Sequence, residues 1–98
     1  MARSSHRYDN HMNFKKIFEA VEKAGFTKED IVGKSRKQPL ALVRQVAIWL
    51  ARDGRTYEQL GKDFKRNHSA CVHACKSIDS KLSYGDVQLD ELMKRMGL

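Results

Sequence analysis

The sequence predicts an all-α fold, a compact bundle of about five to six helices that contains a helix-turn-helix. Two observations predict it. Apolar residues recur at intervals of three and four, and no segment alternates apolar and polar residues as a strand would. A very short polar turn also separates a helix that ends near Phe64 from one that begins near Asn67. The polar, aperiodic residues 1–12 predict a flexible arm before a domain over residues 13–98.

The first two predicted helices are short. Apolar positions across residues 14–21 follow helical spacing, and Gly25 is placed to end this helix. Thr27 has the character of an N-cap, since two acidic residues follow it in what would be the first turn. The helix that it begins is expected to stop near Gly33, after which residues 34–38 form a basic loop without apolar residues.

The third predicted helix follows Pro39, whose missing N–H costs little at a helix start. It is expected to end near Gly54, because glycine is common just past a helix. Its expected buried stripe consists of Leu40, Val43, Ala47 and Leu50, widened by Val46 and Ile48.

The remaining helices form the helix-turn-helix and the end of the chain. Thr56 and Gln59 have the spacing of a capping box, which predicts a helix through Phe64. Asn67 is the expected cap of the next helix, and a turn at residues 83–86 precedes an amphipathic helix over 87–96. The apolar positions that keep the period after Asn67 are Val72, Cys75, Ile78 and Leu82.

The charge is strongly positive and unevenly placed. The formal net charge is +7 and the sequence pI is about 9.7. All charged residues between Asp30 and Asp53 are basic, and the same holds between Asp63 and Asp79. Segregated positive charge suits contact with a phosphate backbone. The alternative interpretation is that these residues form an ordinary solvated surface.

Several classes of function find no support in the sequence. No apolar run approaches the roughly 20 residues of a membrane span, and the N-terminus lacks the apolar centre of a secretory signal. We therefore expect a cytoplasmic, nucleoid-associated protein with no membrane partner. There is no phosphate-binding loop and no triad or paired-carboxylate arrangement, so we expect no enzyme, no nucleotide and no cofactor.

Side chains with metal-ligand chemistry occur near the helix-turn-helix, but their spacing favours packing. Cys71 and Cys75 lie four residues apart on one predicted helix, which suits neither a disulfide nor the paired segments of a structural zinc site. We expect both to be small core hydrophobes. We likewise expect Trp49 to be a core residue and His73 to be half-buried. For His68, a local hydrogen bond at the start of the helix is the alternative to a role in binding.

The segment from Lys65 to Cys75 opens a helix with its polar residues crowded into the first turn. A helix-turn-helix DNA reader directs the N-terminal end of its second helix at base edges in the major groove. This segment therefore predicts a duplex DNA-binding module.

The chain resembles the C-terminal DNA-binding domain of the bacterial replication initiator DnaA, a helix-turn-helix of the Trp-repressor-like kind. The order and spacing match across roughly residues 14–96, here expected as a stand-alone protein. The residues that carry the resemblance are Ile31-Val32-Gly33-Lys34-Ser35-Arg36-Lys37, the run from Arg44 to Arg52, Leu60-Gly61, Arg66-Asn67-His68-Ser69 and Val72-His73-Ala74-Cys75.

The resemblance implies a set of DNA contacts. Arg36 matches an arginine that enters the minor groove, and Lys34, Lys37 and Arg44 would be phosphate or loop contacts. The residues that match the major-groove reading segment, with Lys65 just before it, are Arg66, Asn67, His68, Ser69 and Ala70.

This chain departs from the family pattern in that segment. Asn67 stands where the pattern has aspartate, Ala70 where it has threonine, and Lys65 alone where it has two glycines. Aspartate accepts a hydrogen bond from the cytosine amino group, whereas asparagine pairs best with adenine. We therefore expect the preferred site to differ from the usual initiator box.

The predicted function is sequence-specific binding of double-stranded DNA at initiator-box-like sites, which would regulate replication initiation or transcription. The alternative is a protein-interaction module with weak or non-specific DNA binding, whose partner is another replication or regulatory protein. The first helix, with Phe14, Ile17, Phe18 and Val21, would supply that surface unless these residues are core. RNA is a poorer partner, because an A-form major groove does not admit a helix.

Overall fold

The computed structural model describes residues 14–33 and 39–98, and these segments form six helices and no strand. The all-α prediction is therefore confirmed. The predicted arm over residues 1–12 lies outside the described residues. None of the helices in the two described segments has the length and apolarity to cross a membrane. The helices are α1 (Phe14–Lys23), α2 (Lys28–Val32), α3 (Leu40–Ala51), α4 (Tyr57–Phe64), α5 (His68–Tyr84) and α6 (Val87–Arg95).

Short-range hydrogen bonds set where the helices begin. Thr27 accepts from the backbone N–H of Asp30, whose carboxylate accepts the N–H of Thr27 in return. Thr56 and Gln59 form the same reciprocal capping box at α4, as the sequence predicts. At α6 the cap is Asp86, which the sequence pattern predicts only as part of a turn.

Helix α3 lies at the centre of the bundle and packs chiefly on α5, with α1 and α2 on its other sides. Phe64 at the end of α4 is fully buried, and its ring centroid lies 6.0 Å from that of Phe14 and 6.3 Å from that of Phe18. These contacts fix α1 against the first helix of the helix-turn-helix. Among the described residues, Arg44 is the one charged side chain in the core, and it is 7% exposed.

The predicted core positions differ in their burial. Leu40 and Leu50 of the expected α3 stripe are half-buried and pack against the core, to which Leu42 and Ala51 also belong. Leu82 is 43% exposed. Three residues before Leu82 on α5, Asp79 accepts a hydrogen bond from the indole of Trp49 near the end of α3.

Candidate nucleic-acid interface

The turn between α4 and α5 is tight because one glycine permits a close approach. The backbone N–H of Arg66 donates to the carbonyl of Gly61 at 2.8 Å. Gly61 is buried, and a Cβ atom at this position would overlap the carbonyl oxygen of Arg66. Only glycine therefore lets the turn close directly onto α4.

Lys65 forms the first residue of this turn in the left-handed conformation, with φ 56° and ψ 46°. It is the only non-glycine residue of the described segments with a positive φ. The family pattern that the sequence resembles has glycine here, and the observed conformation gives the physical reason for that preference. Its side chain is exposed next to the start of α5.

The entrance of α5 is an exposed polar turn on a buried support. Asn67 is the N-cap, as predicted, and its Oδ1 accepts the backbone N–H of Ala70 at 2.8 Å. Asn67, His68 and Ser69 are exposed and Ala70 is half-buried, whereas Cys71, the next residue along, is fully buried. The predicted base-reading residues are therefore brought together at one protruding helix end.

The electrostatics of this end favour an anion. The first turn of α5 contains no acidic residue, although acidic side chains commonly occupy that place. The partial positive charge of a 17-residue helix therefore lies beside the basic side chains of Lys65 and Arg66 without an acidic neighbour in that turn. Phosphate oxygens and base acceptors suit such a surface.

The side chains of Arg44 and Arg66 are engaged by the protein itself. Arg44 donates from Nε to the carbonyl of Ile31 at 2.8 Å and from Nη2 to that of Asp30 at 3.0 Å. Arg66 donates from Nη2 to the carbonyl of Gly33 and from Nη1 to that of Lys65 at 3.1 Å. Arg44 lies in the core beneath the surface, so its direct contact is with the end of α2.

The other predicted contacts belong to the basic segment that follows α2. Lys34, Arg36 and Lys37 belong to residues 34–38, which lie outside the described residues. Arg66 donates to Gly33, the last described residue before them. In sequence, the predicted minor-groove segment thus begins directly after a residue bound to the helix-turn-helix.

A cleft of about 470 Å³ lies between α3 and α5 behind the exposed helix end. Arg44 and Arg66 border it, together with Gln45 of α3 and His73 of α5. The prediction that His73 is half-buried is wrong: it is exposed, whereas Cys71, Ala74 and Cys75 on the same helix are buried. The sequence offered no signal for the placement of Gln45.

Trp49 packs against the core, as predicted, and is not a free stacking platform. Its Nε1 donates to the carboxylate of Asp79 at 2.9 Å, and the guanidinium of Arg52 lies 4.4 Å from the centre of its ring. Cys71 and Cys75 are buried core residues, as predicted. Over residues 14–33 and 39–98, no three His, Cys, Asp or Glu side chains cluster as metal ligands would.

A short α4, a tight turn and a protruding, acid-free entrance of α5 define a helix-turn-helix domain of the DNA-binding class. Residues 14–78 match the family model described as the bacterial dnaA protein helix-turn-helix. The chain belongs to this family, as the sequence resemblance predicted.

Curated relatives agree with this assignment. The chain is 38% identical over 68 residues to chromosomal replication initiator protein DnaA 1 of Protochlamydia amoebophila, which covers 67% of this chain and 14% of the relative. It is 33% identical over 89 residues to the DnaA initiator of Chlorobaculum tepidum, covering 80% and 18%. DnaA 2 of Chlamydia pneumoniae is 40% identical over 68 residues, covering 67% and 14%. The chain thus spans less than a fifth of these relatives' length.

Proposed function

We propose that this chain binds double-stranded DNA sequence-specifically, with the N-terminal turn of α5 in the major groove. The observation that carries the proposal is the exposure of Asn67, His68 and Ser69 on a helix end that Cys71, two residues later, anchors in the core. Such an arrangement presents hydrogen-bonding groups on a rigid support, which base readout requires. The preferred sites are initiator-box-like, with a change at the base pair that faces Asn67.

Charge supplies the sequence-independent part of this binding. The exposed Lys65 lies at the entrance of α5, and the sequence adds Lys34, Arg36 and Lys37 as DNA contacts after Gly33. If these side chains and the turn neutralise about four to six phosphates, the logarithm of affinity should fall with that of salt at a slope of roughly −4 to −5. A complex insensitive to salt would contradict this account.

The cellular role that fits is control of replication initiation or of transcription at such sites, which associates the protein with the nucleoid. The relatives are named chromosomal replication initiators, which supports the first of these. Competition between this chain and a DnaA initiator for one labelled duplex tests whether they share sites. If the initiator binds sites that this chain does not bind, the two proteins have different site preferences.

The alternative of a protein-interaction module receives less support. It depended on the apolar face of α1, but Ile17 and Val21 are fully buried and Phe14 and Phe18 pack against Phe64. These side chains pack within the protein, so little of the apolar face of α1 remains available to a partner.

Selection from a random duplex pool tests the proposed function. We expect strong enrichment of one motif, and no enrichment would refute sequence-specific binding. A matched pair of variants then locates the reading surface, because Ser69 and Ser80 are both exposed residues of α5. Ser69→Ala should weaken binding to the selected site by about fivefold or more, the effect of one good contact. Ser80→Ala should leave affinity unchanged.

A further inference from the structure

Two arginines from different parts of the fold close the C-terminal end of α2. This helix has five residues, so most of its carbonyls have no partner within the helix. The carbonyls of Asp30 and Ile31 accept from Arg44 of α3, and the carbonyl of Gly33 accepts from Arg66 of the turn. Guanidinium groups suit this end, because the C-terminus of a helix carries partial negative charge.

The backbone of Arg66 is fixed independently of its side chain. Its N–H donates to Gly61 of α4, and its carbonyl lies where only a glycine at position 61 leaves room. The next residue, Asn67, is the N-cap of α5. Arg66 therefore joins α4 and α5 through its main chain and the end of α2 through its guanidinium.

This arrangement brings two like charges close together. Burial lowers the pKa of Arg44, and the positive charge of Arg66 lowers it further. The repulsion is offset by three neighbouring carbonyls: those of Asp30 and Ile31 accept from Arg44, and that of Gly33 accepts from Arg66. A guanidinium has five donors in a fixed plane, so it binds two separate carbonyls at once, as Arg66 does with Gly33 and Lys65.

We propose that Arg66 is a positioning residue, which holds the end of α2 against the entrance of α5. Because Lys34 follows Gly33 directly, Arg66 sets where the basic segment begins relative to the helix that reads the major groove. This inference rests on the proposed function. It differs from the base-reading role that the family resemblance implies for Arg66, because the guanidinium is bound to the protein.

The contact itself is tested in the free protein. The carbonyl carbon of Gly33 is followed by NMR in the wild type, Arg66→Ala and Arg66→Lys. Arg95→Ala is the matched control, because Arg95 donates to the carbonyl of Ala24 after α1 in the same way. We expect the Gly33 resonance to shift in both Arg66 variants and to stay unchanged in Arg95→Ala. An unchanged Gly33 resonance in Arg66→Ala would overturn the proposal.

The role in binding is tested on the duplex selected with the wild type and on permutations of each base pair. Arg66→Ala should weaken binding by up to about tenfold, the loss of one arginine contact from the basic segment that it positions. The loss should be uniform across the base pairs read in the major groove, and discrimination at flanking A·T pairs should fall. Arg66→Lys should recover binding only in part, and Arg95→Ala should bind as the wild type does.

A double-mutant cycle separates positioning from direct reading. If Arg66 acts through the basic segment, Arg66→Ala should cost little affinity once Arg36 is already replaced by alanine. Additive losses, with a changed preference at one base pair, would show that Arg66 reads that base and would overturn the proposal. If the wild type prefers no sequence, the proposed function fails, while the Gly33 resonance still decides whether the contact exists.

Discussion

Replacement of Asn67 separates the stability of α5 from its specificity. The Oδ1 atom of Asn67 accepts the N–H of Ala70, which leaves a second lone pair on that oxygen and the two amide hydrogens. These groups match the N6 donor and N7 acceptor of adenine. The substitutions Asn67→Ser and Asn67→Asp would both retain the cap, because serine, aspartate and asparagine cap about equally well.

The expected magnitudes differ between the variants. Asn67→Ala removes the cap and should lower the free energy of unfolding by about 1 kcal/mol, a fall in melting temperature of about 4–8 °C. Asn67→Ser should keep the stability but lose the adenine preference. Asn67→Asp should keep the stability, or gain up to about 1 kcal/mol from the helix dipole, and shift preference from adenine toward cytosine by about 1–2 kcal/mol.

The assay is binding to sites permuted at each base pair, run beside thermal melts of the same samples. A preference profile that is identical in the wild type, Asn67→Ser and Asn67→Asp would refute the reasoning. In that case Asn67 would be the cap of α5 and would have no part in readout.

The remaining predictions concern the turn and the core. Lys65→Gly should raise the free energy of unfolding by about 0.5–1 kcal/mol in urea denaturation, because glycine adopts a positive φ without strain, and should make the salt slope shallower by about 1. Gly61→Ala should lower the free energy of unfolding by about 1–3 kcal/mol, despite the better helix propensity of alanine. A raised urea midpoint would show that the turn can rearrange to accommodate a Cβ atom. Arg44→Met should cost about 2–4 kcal/mol by leaving two carbonyls without this donor, and an unchanged midpoint would exclude that role.

The starts of α2, α4 and α5 were predictable because capping is local. Thr27 with Asp30, Thr56 with Gln59, and Asn67 with Ala70 each lie three residues apart. A short sequence window therefore contains both partners of each hydrogen bond, and the six-helix architecture follows from those windows and from helical periodicity.

The environments of individual side chains were less predictable, because they depend on distant partners. Arg44 contacts carbonyls 13 and 14 residues earlier, and Arg66 contacts one 33 residues earlier. No periodicity connects these positions. The exposure of His73 has a similar origin, since it depends on which residues of α5 meet α3 rather than on the composition of α5.

The buried thiols of Cys71 and Cys75 offer a chemical measure of how often α5 opens. Cys71 is fully buried and Cys75 is 2% exposed, and burial raises the pKa of both thiols. Because the reactive species is an accessible thiolate, an alkylating reagent should modify either residue only when α5 separates from the core. Labelling followed by mass spectrometry would then report how often α5 separates from the core. A bound duplex should slow that labelling in proportion to its affinity.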